Sequence, residues 1–108
     1  MATLPELLKM LVEMDGSDLH IATATPPQIR VHGKLNRLQL PELNDSETKQ
    51  LVYSVLTDSQ KKRFEETMEL DFSFGIKAIG ARVRCNIFSQ RGALGAVYRL
   101  IPAKIRSY

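Results

Sequence analysis

Ala81-Arg82-Val83-Arg84-Cys85-Asn86-Ile87-Phe88 sets the fold of this chain. Ala81, Val83, Cys85 and Ile87 alternate with Arg82, Arg84, Asn86 and Phe88, the period of two that a strand with one covered face requires. Just upstream, Leu70, Phe72 and Phe74 alternate with Asp71 and Ser73 in the same way. Downstream, Leu94 to Ile101 reads as a final strand, ended by Pro102. The spacers 75–80 and 90–93 carry Gly75, Gly80 and Gly92, so both read as turns. The last third of the chain is therefore predicted to be β, with neighbouring strands antiparallel.

The rest of the chain supplies helices and a second hairpin. Leu4, Leu7, Leu8, Leu11 and Val12 fall on one helical stripe and predict a helix over 4–14. Thr3 and Glu6 have capping-box spacing at its start, and Asp15-Gly16 stops it, glycine being the residue that tolerates the left-handed conformation there. Asp18 to Thr23 reads as a short strand. Gln28 to His32 and Leu35 to Leu40 form a hairpin about Gly33. Asn44 with Glu47 and Thr57 with Gln60 are two more capping boxes. Leu51, Val52, Val55 and Leu56 are the buried stripe of one mid-chain helix. Phe64 and Met68 anchor a second, polar one that runs to about Thr67. The sum is an α+β domain, a mostly antiparallel sheet packed by an N-terminal helix and a mid-chain helical pair.

Composition narrows the function classes. The chain has 108 residues, 44% hydrophobic and 25% charged, enough for one domain with a real core and too ordinary for disorder. Fifteen Lys and Arg against twelve Asp and Glu give a formal charge of +3, a weak net field. Lys61-Lys62-Arg63 is the densest basic run and reads as a solvated helix face. With no polybasic tail and no stacking set beside it, a dedicated nucleic-acid binder is disfavoured. One cysteine, Cys85, excludes an internal disulfide and fits a reducing compartment. No apolar run approaches the roughly 18–20 residues of a membrane span. Glu6, Lys9 and Glu13 interrupt the N-terminal apolar stretch, which therefore does not read as a signal peptide.

Few residues are placed for chemistry. His20, His32 and Cys85 show no metal-ligand spacing. Ser17-Asp18-Leu19-His20 packs Ser, Asp and His too tightly for a triad, whose members come from separate elements. It reads instead as turn and strand chemistry, with Asp18 and His20 on one strand face. Gly75 to Gly80 has the glycine spacing of a phosphate-binding loop, but Ala81-Arg82 stands where Lys-Ser/Thr is required. The arginines say more. If the last hairpin centres between Arg91 and Gly92, Arg84 lies opposite Arg99 and Arg82 opposite Ile101. Like charges directly opposite are unfavourable in a sheet, and three guanidiniums on one face invite a phosphate or carboxylate. Local pairing with Asp71, Glu69 or Glu66 is the competing reading from spacing alone.

Five blocks, taken together and in order, end the chain's anonymity. They are Gly16-Ser17-Asp18-Leu19-His20-Ile21, Pro26-Pro27-Gln28-Ile29-Arg30-Val31-His32-Gly33 and Glu69-Leu70-Asp71-Phe72-Ser73-Phe74, then 81–88 as quoted and Gly95-Ala96-Val97-Tyr98-Arg99-Leu100-Ile101-Pro102. They resemble the start of the type IV pilus retraction ATPases, the PilT family of the secretion-ATPase superfamily. Cys85 stands where that family places Val or another small apolar residue. The resemblance implies a PAS-like N-terminal domain over 1–102 and the start of a linker over 103–108. It also implies a following RecA-like ATPase domain, whose Walker motifs do not occur in these residues.

The same resemblance implies a homo-hexameric motor that binds ATP with Mg. In it the domain contacts its own and neighbouring ATPase domains and moves against them. N-terminal-domain arginines reach the nucleotide phosphates. Arg84 and Arg99, fifteen positions apart, match the spacing of those arginines, and Arg82 is a third candidate. Further expectations follow from the family. The site is cytoplasmic, at the inner-membrane face of the pilus machinery, beside an inner-membrane platform protein, with no nucleic acid and no direct membrane span. Alone, the chain is expected to hold no nucleotide tightly and to hydrolyse none. Two other classes compete: a stand-alone PAS-like sensor of small ligands, and an RNA-binding α+β domain that stacks bases on Phe72, Phe74 and Phe88.

Overall fold

Among the described residues, all three helices start at the capping boxes written in the sequence. The computed structural model describes residues 3–76, 81–90 and 93–101. Helix α1 (Leu4–Glu13) opens where the Thr3 hydroxyl accepts the Glu6 N–H and the Glu6 carboxylate accepts the Thr3 N–H. Helices α2 (Asp45–Tyr53) and α3 (Asp58–Thr67) repeat this with Asn44/Glu47 and Thr57/Gln60. Each box satisfies two backbone donors that a helix start leaves orphaned.

The end of α1 differs from expectation in its cause. The left-handed residue is Asp15, at φ 57°, not Gly16. The Gly16 N–H bonds the Leu11 carbonyl at 2.9 Å and the Asp15 N–H bonds that of Val12 at 3.0 Å, the paired bonds of a Schellman end. Gly16 is required by space instead. A Cβ there would lie 2.6 Å from Ile29 Cγ2 and 2.7 Å from Leu11 Cδ1.

The strands are β1 (Asp18–Ala22), β2 (Gln28–Val31), β3 (Lys34–Arg37), β4 (Glu69–Ile76), β5 (Ala81–Gln90) and β6 (Ala93–Ile101). They form one antiparallel sheet in the order β3-β2-β1-β6-β5-β4. His32 and Gly33, at φ 50° and 82°, make the β2–β3 turn, the two-residue geometry whose twist suits a hairpin. The return strand stops at Arg37 rather than Leu40. The Leu38 N–H bonds the Pro27 carbonyl at 2.9 Å and its side chain turns inward. The expected register of the last hairpin holds: Arg84 lies opposite Arg99 and Arg82 opposite Ile101. The expected turns fall partly at 77–80 and 91–92, and the expected linker at 103–108; these lie outside the described residues.

One face of this sheet carries the core. Leu19, Ile21, Ile29, Val83, Cys85, Ile87, Ala96 and Tyr98 join Leu4, Leu7, Leu8 and Leu11 of α1, Leu51 and Val52 of α2 and Phe64 of α3 in one buried cluster. Val12, expected on the buried stripe, is 42% exposed. Phe72 and Phe74 pack against this cluster. Phe88 instead lies opposite Glu69 and Gly95 on the other face. The three aromatics therefore offer no common stacking platform. The helices cover one side, and the second side of the sheet is polar.

Candidate functional site

The uncovered face is ordered in rows by the strand registers. One row runs Ser73, Arg84, Arg99, Asp18, Arg30 across β4, β5, β6, β1 and β2. The next runs Asp71, Asn86, Val97, His20, Gln28. Side chains one row apart lean on each other because residues i and i+2 share a face. Arg84 and Arg99 are thus brought together as the sequence predicts. Arg82 shares their face, one row further on.

The three arginines are held differently. Arg84 reaches Asp71 on the neighbouring strand, donating from Nε to Oδ1 at 3.3 Å and from Nη2 to Oδ2 at 3.0 Å. The guanidinium holds the Asp71 carboxyl below its ordinary range, and Asp71 raises Arg84 in return. Arg82 donates from Nη2 to the Ser73 hydroxyl at 3.2 Å. Arg99 has no salt bridge among the described residues, although Asp18 faces it on β1. The local-pairing reading therefore holds for Arg84. One arginine is paired with a local acid, and its neighbour is left to solvent. Between them lies a cavity of about 350 Å³ lined by Asp71, Arg84, Asn86, Val97 and Arg99.

Asp18 is engaged elsewhere. Its carboxylate accepts from Ser17 Oγ at 2.6 Å and from Arg30 Nε at 3.4 Å, and it contacts His20 Nε2. Burial raises its pKa, but these three partners outweigh burial and leave it below the ordinary value. The Ser-Asp-His run is a carboxylate with a hydroxyl on one side and an imidazole on the other. The hydroxyl donates to the acid and not to the histidine, so the run lacks the serine–histidine hydrogen bond of a triad. Sequence reasoning placed Asp18 and His20 on one face but missed Arg30. Only the β1–β2 register brings Arg30 opposite Asp18. Asn86 was also missed as a lining residue; its place two positions after Arg84 was the available signal.

The helix side offers a different opening. A cavity of about 240 Å³ lies among Leu7, Pro27, Leu43 and Leu51. It falls below the usual range of roughly 300–1,000 Å³ for small-molecule sites. Cys85 and Tyr98 face each other inside the core. Burial pushes the Cys85 thiol up to about 12, which makes it a packing group and not a nucleophile.

Comparison with known proteins gives this face a context. No family model matches the chain. The type IV pilus retraction ATPase PilT of Pseudomonas aeruginosa is 43% identical over 100 residues, 93% of this chain and 29% of that protein. A twitching motility protein of Neisseria gonorrhoeae is 38% identical over 89% of the chain and 25% of its own length. PilU, a type IV pilus ATPase of Pseudomonas aeruginosa, is 34% identical over 93% of the chain and 26% of its own length. Among solved structures, the pilus retraction motor PilT with bound ADP superposes with a TM-score of 0.89 at 36% identity, over 98% of this chain and 31% of that one. The Legionella pneumophila ATPase DotB shares the fold at a TM-score of 0.78 and 21% identity, over 94% of this chain and 30% of that one. The chain spans under a third of the length of these relatives. Its α+β fold, six antiparallel strands and three helices, matches the N-terminal domain of PilT. In sequence and in fold alike, the chain is a homologue of the PilT-type pilus retraction ATPases over that segment.

Proposed function

We propose that the chain serves as the N-terminal domain of an ATP-driven pilus retraction motor, and that Arg84 and Arg99 reach the phosphates of a nucleotide held by an ATPase domain. The observation that carries this reading is the direct pairing of Arg84 with Arg99 on the uncovered sheet face. A sheet gains nothing from like charges placed opposite each other. A polyphosphate between them turns the repulsion into two charge-assisted contacts. The relative solved with ADP supports a nucleotide as that anion.

The arginines' work in this reading is electrostatic. They neutralise charge on the phosphates and on the oxygens where charge develops during transfer, as arginine fingers do. They act only when a phosphate-binding loop and its lysine supply the rest. No G-x-x-x-x-G-K-[ST] occurs in the 108 residues, so in this reading the loop is supplied by the ATPase domain. Mg, where bound with the nucleotide, would supply neutralisation of phosphate charge. Among the described residues no group of three His, Cys, Asp or Glu is placed to hold a metal. The motor is proposed as a homo-hexamer in the cytoplasm, beside an inner-membrane platform protein, with hydrolysis moving this domain against the ATPase core. Among the described residues no helix is long and apolar enough to cross a membrane.

Two measurements test the reading. The gene beyond codon 108 is expected to encode a G-x-x-x-x-G-K-[ST] motif; a stop codon there refutes it. In the complete protein, Arg84→Ala or Arg99→Ala is expected to cut ATP turnover about tenfold or more. Unchanged turnover in both variants removes the arginines from the site.

A further inference from the structure

Asp71 sits in the anion cavity and holds one of the two guanidiniums that line it. We propose that Asp71 is a specificity-determining residue, an internal counter-ion for Arg84 that an incoming polyphosphate must displace. The inference rests on the reading of the Arg84–Arg99 pair as a phosphate site and adds to it a filter on which anions enter.

The geometry carries the competition. Asp71 takes the Nε and Nη2 edge of Arg84 side-on, the same fork that binds a phosphate bidentately. The carboxylate lines the cavity, so an anion placed there meets a negative charge as well as two positive ones. Asp18, the other acid near Arg99, is already occupied by Ser17, His20 and Arg30. Arg99 is therefore open to the anion while Arg84 is not. A singly charged anion can bond Arg99 but gains little by also separating an existing pair. A diphosphate or triphosphate can hold Arg99 with one phosphate and exchange Asp71 for another. Because the pair is exposed, its separation costs little in stability, which keeps the exchange reversible.

Nuclear magnetic resonance titration of the 108-residue chain reads the exchange at the arginine Nε–H signals. The probes are ATP, inorganic pyrophosphate and acetate, added without metal. In the parent, ATP and pyrophosphate shift both Arg84 and Arg99, while acetate at equal concentration shifts Arg99 alone and leaves Arg84 unmoved. Asp71→Asn keeps the shape and removes the charge. It is expected to tighten pyrophosphate binding about three- to tenfold, as expected for one near charge in a solvated site, and to let acetate shift Arg84. In an Arg84→Ala background the same change should gain at most half as much on a logarithmic scale. A gain undiminished by Arg84→Ala overturns the competition and leaves only general repulsion. Binding equal or weaker in Asp71→Asn also overturns it. If Arg99→Ala leaves pyrophosphate binding unchanged, or neither arginine responds to any probe, the phosphate site itself fails and the filter with it.

Discussion

Asp18 is the residue on which the uncovered face turns. Its ionised form accepts from Ser17 and Arg30 and contacts His20, so its pKa in the folded chain lies below the unfolded value near 3.8. A carboxyl whose folded pKa is depressed stabilises the fold fully above its unfolded pKa and loses that contribution as pH falls through the folded one. Asp18→Asn is therefore expected to lower stability near pH 7 by about 1 kcal/mol, the scale of a hydrogen-bonded charge with partly exposed partners. The difference between parent and variant should shrink as pH drops below 3.8. Urea midpoints at pH 7, 5 and 3 check this; a constant difference contradicts it. At this scale the sequence was half legible. Period two places Asp18 and His20 together, but Arg30 is twelve positions away and arrives only through the β1–β2 register. Asp71 was one of three acids that could have met Arg84. The β4–β5 register chooses it by setting Asp71 opposite Asn86, diagonal to Arg84.

Among elements, the joint between α1 and β2 encloses Gly16 more closely than any other glycine described is enclosed. Gly16 lies between Leu11 of the helix and Ile29 of the strand, and the Arg30 carbonyl is 3.0 Å from where a Cβ would stand. That oxygen also bonds the Ser17 N–H at 2.9 Å, so it has little freedom to retreat. Gly16→Ala is expected to destabilise the chain by about 1–3 kcal/mol, the usual cost of overpacking. Gly33→Asn, in an open turn that tolerates asparagine, should cost under about 1 kcal/mol. Denaturant midpoints of the two variants compare them, and equal losses contradict the spatial role of Gly16. The sequence marked this glycine for the wrong reason, because handedness is a local property and crowding is not. The capping boxes were fully legible, being contained within four consecutive residues. The sheet order was not. The pairing of β1 with β6 joins residues about eighty positions apart, and no local pattern encodes it.

For the whole molecule, the two sides of the sheet serve different ends. The helix-covered side holds the core, and the uncovered side sets two guanidiniums opposite each other. Arg99→Thr should then leave the thermal midpoint unchanged or higher, since it removes a like-charge pair and adds a residue that suits a strand. A clear drop in differential scanning calorimetry would show that Arg99 is structural. This division was legible from the alternation of 81–88, which puts every arginine of the strand on one face. The nucleotide proposed to fill the space before that face comes from the resemblance, because a charged face names the sign of a ligand and not its identity.

The central position of β6 has a mechanical consequence. Arg99 sits on the fourth strand of six and Arg84 on the fifth, inside a molecule 46 Å long. Backbone pairing binds β6 at five positions to β1 and at nine to β5. A push delivered to Arg99 therefore enters the sheet near its middle, with paired strands on both sides. In the motor we propose, a displacement at the phosphates would pass through these paired strands to β3 as a tilt of the whole sheet.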